Sequence, residues 1–146
     1  MSKILVITND EKVRAEEYHD FKDIQRAVGG TFDIFSVTHF SLHNENSVPE
    51  GLILHCNDEA LLIESEEFNK VNAAAALIDN GSLIYGNIAV LIDAGEGEDR
   101  GFTDEEATAF TEWLNNIMQK NHNVLKKFHE EYDGKKPEPK IEFFSF

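Results

Sequence analysis

Apolar residues fall along the chain in short runs, broken by small polar and glycine-containing stretches. Residues 3–8 (KILVIT) are β-rich and apolar, which predicts a buried first strand. Asn9, Asp10 and Glu11 make the turn after it, and residues 12–18 a second extended segment. Asp20 is placed to cap a helix, with Asp23 in the first turn, and Phe21, Ile24 and Val28 recur at helical spacing on one face. Gly29 and Gly30 end that helix, since glycine readily takes the left-handed conformation of a C-cap. Residues 31–38 read as a strand with both faces partly covered, 39–50 as a polar insertion on the sheet's rim, and 51–56 as the next strand. A hairpin turn at 57–60 leads to a return strand at 61–64.

The Ala-rich stretch 68–78 predicts a short helix and Asn80-Gly81 a turn. Residues 83–93 form the longest β-like run, and Gly86 within it marks a bulge or a close backbone approach. A glycine- and acid-rich loop follows at 94–101. Thr103 to Glu106 fits a capping box, with Phe102 and Ala107 as a hydrophobic staple. Phe110, Trp113, Leu114, Ile117 and Met118 continue as an apolar stripe, and Val124, Leu125 and Phe128 resume it after a break near 121–123. The expected fold is α+β: a small, mainly antiparallel or mixed sheet, helices 20–28 and 103–118 packed on one face, and a C-terminal helical extension. Residues 1–118 make the domain, and 119–146 add the extension and an aromatic tail at 140–146.

Composition changes this picture in one respect. The chain has 146 residues, enough for one domain with a real core, and its eleven Phe residues supply most of the aromatic bulk. No apolar run approaches the roughly 20 residues that span a bilayer. A lone cysteine and the lack of a secretory leader point to a reducing, cytoplasmic setting. The formal charge of −15 is the distinctive property. Residues 1–118 hold 23 acids against 7 bases, whereas residues 119–140 hold 6 bases against 4 acids. An acidic body repels phosphate backbones, so direct nucleic-acid binding is disfavoured; the ordinary reading of the charge is solubility, and the sharper one is an acidic surface that attracts a basic protein partner.

The order of Val28-Gly29-Gly30, Asn57-Asp58-Glu59, Asn72, Gly86 and the Thr103 helix start resembles a bacterial and phage family, domain of unknown function 3846. The resemblance covers roughly residues 3–118 and leaves the basic C-terminal helix outside it. It implies no enzymatic activity and no set ligand, and it points toward phage–host biology.

No catalytic or metal constellation is complete. His55 and Cys56 are adjacent on a strand, so their side chains point to opposite faces and form no dyad. His39 and His43 have zinc-ligand spacing, but their surroundings are not helical and nothing completes a tetrahedral site. His122 and His129, seven apart, share a face of the last helix and are placed on its solvated side. The stretch 93–99 has glycines and a glutamate where a calcium loop needs its ligands and its glycine. Its acids also repel a phosphate. Glu64, Glu66 and Glu67 make a solvated face. No cofactor is expected.

Two functions lead, ahead of a third, a hydrolase or transferase whose site the sequence does not reveal. One is a non-enzymatic protein that binds a basic partner through the loop acids Glu96, Glu98 and Asp99. The other is a small-molecule module for a nucleotide or metabolite, with Asn57, Asn72 and Gly86 lining a polar pocket.

Overall fold

A computed structural model describes residues 2–39, 51–79, 81–96 and 98–137. The elements run β1 (Lys3–Ile7), β2 (Val13–Glu17), α1 (Phe21–Val28), β3 (Phe32–His39), β4 (Gly51–Asn57), α2 (Glu66–Asn69), α3 (Ala73–Ile78), β5 (Ile88–Gly95), β6 (Glu98–Arg100), α4 (Asp104–Lys120) and α5 (His122–Tyr132). The strands form one antiparallel sheet in the order β2-β1-β5-β4-β3, with β6 paired to the far half of β5. The class is α+β, and α5 supplies the C-terminal helical part. Among the described residues, no helix is long and apolar enough to cross a membrane.

The helices do not share a face of the sheet, contrary to the expectation from sequence. Leu5, Ile7, Ile88, Val90 and Ile92 pack with α3, Phe110 and Leu114 of α4, and Leu125 of α5. Ile4, Val6, Ala89 and Leu91 point the other way and pack with Ile24, Ala27 and Val28 of α1. The cause is in the central strands. The runs at 4–7 and 88–91 are apolar without alternation and fully buried, so both faces need cover. An eight-residue helix is marginal alone. Burying Ile24 and Val28, at about 1.5–3 kcal/mol each, holds α1 on the second face.

Local signals set most boundaries. Asp20 and Asp23 form a capping box, and Gly29 closes α1 at φ +82°. Phe21 at the first position of α1 is exposed rather than buried. Thr103 and Glu106 form the second box, with Phe102 and Ala107 buried in the cluster beside it.

Four segments depart from their sequence readings. Residues 61–64 are not a strand: β4 already has β3 on one edge and β5 on the other, so no edge is free for a hairpin return. The 68–78 helix is split, because the Asn72 side chain caps α3 by accepting from Ala75 N at 2.9 Å. The last long strand starts at Ile88, not 83, and Gly86 lies in the irregular approach to it. The acidic stretch at 94–101 is a hairpin rather than a loop, because β6 turns back onto β5. The readings placed on 40–50, with His43, and on 140–146 lie outside the described residues.

Candidate functional site

The three residues read as a polar ligand site are placed at two junctions of the framework. Asn72 is fully buried, and its Nδ2 donates to Ile7 O and Gly86 O, both at 3.0 Å. Asn57 Nδ2 donates to Val28 O at 3.2 Å, and its Oδ1 accepts from Glu59 N at 2.8 Å. Gly86 has φ +88°, and a Cβ there would meet the Phe68 ring at 3.0 Å. The same ring lies 3.2 Å from the Cβ position of Gly29. Asn72 and Gly86 are therefore brought together, while Asn57 joins the end of α1 to β4. Asn57 also borders a shallow cavity of about 270 Å³ with Cys56, Asp58 and Tyr85. The hydrogen-bonding atoms of both asparagines are directed at backbone, so these positions brace the fold.

The acids Glu96, Glu98 and Asp99 lie together on the exposed β5–β6 hairpin. Asp99 stands directly opposite Asp93, and Glu98 opposite Gly95. Asp93 also holds the turn, accepting from Gly95 N at 2.9 Å. The adjoining cation is taken: Arg100 donates to both carboxylate oxygens of Glu106 at 2.8 Å. That bidentate pair holds Glu106 down at about 2 and leaves the hairpin acids unneutralised by Arg100. Four residues on, the first turns of α4 and the edge strand β2 enclose a groove of about 440 Å³. It is lined by Val13, Ala15, Ala107, Thr108 and Thr111, with Lys3, Asp104 and Glu112 along it.

The model of one family, described as a domain of unknown function (DUF3846), matches residues 1–115. The chain belongs to the DUF3846 family. No curated protein and no solved structure matches it. The DUF3846 match takes in both asparagine junctions and the acidic hairpin and stops inside α4. All of α5 lies outside it.

Beyond the DUF3846 region the structure brings together a group that sequence reasoning missed. His129 of α5 sits between two carboxylates, with Nε2 bonded to Glu11 and Nδ1 to both oxygens of Asp133 at 3.0 Å. Asp133 Oδ1 also accepts from Val71 N at 2.8 Å. Glu11 occupies the β1–β2 turn at φ +59°, a backbone conformation that costs a non-glycine residue of order 1 kcal/mol. Asp10 beside it is paired with Lys70. Carboxylates only accept, so both ring nitrogens are satisfied together when both carry protons. Burial disfavours the imidazolium, but the bonds to Glu11 and Asp133 outweigh it and raise His129 above its ordinary value.

A groove of about 600 Å³ runs beside this triad, lined also by Met118, His122, Leu125 and Lys126. His122 and His129 do share a face, as their spacing implies, but His129 is largely covered rather than solvated. The sequence carried half a signal, since His129 and Asp133 are four apart on one helix. Glu11 is 118 residues away and had none.

The remaining candidates are quiet. His55 and Cys56 diverge as their strand positions require, with His55 Nδ1 3.2 Å from Ala89 O and its ring edge-on to Phe32. Burial lowers the His55 pKa and pushes the Cys56 thiol up to about 11, so at neutral pH the thiol stays protonated. Among the described residues no group of three or more His, Cys, Asp or Glu is arranged to hold a metal ion.

Proposed function

We propose that this protein is a non-enzymatic cytoplasmic binding module that captures a basic protein, of host or mobile-element origin, at the β5–β6 hairpin. The observation that carries the reading is the register of that hairpin, which sets Asp99 against Asp93. Like charges at directly opposed positions destabilise a strand pair, and a purely structural hairpin gains nothing from them. Charge left uncompensated at a cost to folding is charge available to a partner. The exposed Glu96 and Glu98 extend the same field, and Arg100 is occupied by Glu106.

A groove on the other face of the sheet from Asp93 and Asp99 bears on the partner's chemistry. Among the described residues β2 pairs only with β1, so its outer edge is open to an added extended segment. Val13, Ala15 and Ala107 suit the aliphatic stem of a lysine or arginine, and Asp104 and Glu112, set against Lys3, suit its charged end. An acidic surface of this kind raises association rates with basic proteins and disfavours nucleic acid.

The test is quantitative affinity capture from the host at low salt, comparing the native chain with the triple variant Glu96→Ser, Glu98→Ser, Asp99→Ser. The native chain should retain a basic protein whose association slows with added salt, and the variant should lose most of it. A variant that retains the same partner with the same association rate and salt response overturns the proposal.

A further inference from the structure

We propose that His129 is a proton-operated latch that fastens α5 to the body of the domain between Glu11 and Asp133. The inference is independent of the partner-binding reading. It rests on which parts of the chain the histidine joins. Glu11 belongs to the β1–β2 turn, inside the family match, and His129 to a helix wholly outside it. Asp133 extends the link, since its carboxylate also accepts from Val71 N just ahead of α3. One imidazole thus ties three separate segments.

The turn that presents Glu11 is itself fixed. Asn9 Nδ2 donates to Glu67 O at 2.6 Å and to Lys70 O at 3.1 Å, so the carboxylate is held in place when the histidine changes charge. Every charged group around the ring bears on the sign of the effect. From the turn come the acidic Glu11 and Asp10 and the exposed Lys12, which acts on Asp10. From the segment between α2 and α3 comes Lys70, which is paired with Asp10. From α5 itself come Asp133, His122 and Lys126. Lys70 is neutralised by its partner, and His122 and Lys126 are exposed, so the two carboxylates in contact with the ring dominate.

Protonated, the ring donates at both nitrogens. Neutral, it donates at one and sets a lone pair against a carboxylate at the other, so one side of the clamp is lost. The folded His129 titrates above its unfolded value of roughly 6.5. The stabilisation is therefore fully present below the unfolded value and is lost as pH rises through the higher folded value. Loosening α5 would uncover Leu125 and Phe128, which pack in the main core. The device couples alkalinisation to partial exposure of that apolar face. Tyr85 Oη to Tyr132 O at 2.8 Å and Gly134 N to Asn69 O at 2.7 Å keep the segment tethered while it loosens.

The experiment is NMR titration of the histidine side chains with hydrogen exchange of the α5 amides across the same pH range, corrected for intrinsic exchange. His129 should titrate above the ordinary histidine value, and α5 protection should fall through that midpoint while α1 protection holds. Glu11→Gln should move both the midpoint and the loss of protection to lower pH. His122→Asn should change neither. His129 titrating at or below the ordinary value overturns the latch, as does α5 protection that is level across the titration. A pH response abolished by His122→Asn assigns the effect to the wrong histidine and overturns it equally. Should Glu11→Gln fold poorly, Asp133→Asn carries the same expectation.

Discussion

The hairpin of β5 and β6 and the corner around His129 use the same side chains in opposite ways. At the hairpin, carboxylates stand against carboxylates, in water, with the nearest guanidinium taken by Glu106. At the corner, carboxylates flank an imidazole, largely covered, with the Val71 N–H completing the shell. A formal charge of −15 is thus two different things in one molecule. Where two distant segments must be joined, acids are paired and directional. Where a surface faces outward, they are left in mutual repulsion. Charge density alone does not separate these cases; the register of a strand pair and the reach of one histidine do.

Asn72 belongs to neither region and braces the fold between them. Its side chain satisfies Ile7 O, Gly86 O and Ala75 N, all buried. Asn72→Ala should cost about 3 kcal/mol or more, because it strands polar groups that water cannot reach. Chemical denaturation reads this directly. Loss of less than about 1 kcal/mol would mean that the residue is not a brace, and would reopen its reading as a ligand contact.

That residue also shows what the chain discloses. The capping boxes at Asp20 and Thr103 were legible, since each is written within four residues and stabilises its helix locally. The class followed from the β-rich runs and helix starts. The return strand at 61–64 was misread because its exclusion depends on β3 and β5 already flanking β4, a fact about distant segments. The face of α1 was open to reading in the unbroken runs of the two central strands, whose lack of alternation asks for cover on both sides. Gly29, Asn57, Asn72 and Gly86 stood out as signals, but their convergence on Phe68 and on backbone carbonyls required coordinates. His129 was visible as a residue and invisible as a site, since its partner Glu11 is supplied by the opposite end of the chain.

The next effect in size tests the one strong ion pair beside the hairpin. Glu106 is held at about 2, against an ordinary 4.5, chiefly by Arg100 and with help from Thr103 N. Its folded value is depressed, so the stability it contributes is present above about 4.5 and is lost as pH falls through about 2. Glu106→Gln should cost about 1–2 kcal/mol near neutral pH, discounted for partial exposure, and should flatten the acid limb of the stability curve. It should also free Arg100 to offset Glu98, two residues away on the same face of β6, weakening capture of a basic partner. An unchanged acid limb would show that the guanidinium pair contributes nothing.

The smallest effect cuts most directly between the two regions. Asp99→Thr removes one member of the opposed pair and leaves Asp93 to hold its turn through Gly95 N. Threonine suits an exposed strand position, and relief of a cross-strand like-charge pair is worth roughly 0.2–1 kcal/mol. The variant should therefore be more stable than the native chain at low ionic strength. The gain should shrink as salt rises toward 1 M, where the screening length falls to about 3 Å. The same change at the corner, Asp133→Asn, should be destabilising and much less sensitive to salt, since a covered, directional contact is poorly screened. If Asp99→Thr is neutral or destabilising at every salt concentration, the opposed aspartates cost the fold nothing. The hairpin would then give no reason to single out its charge from the acidity of the remaining surface.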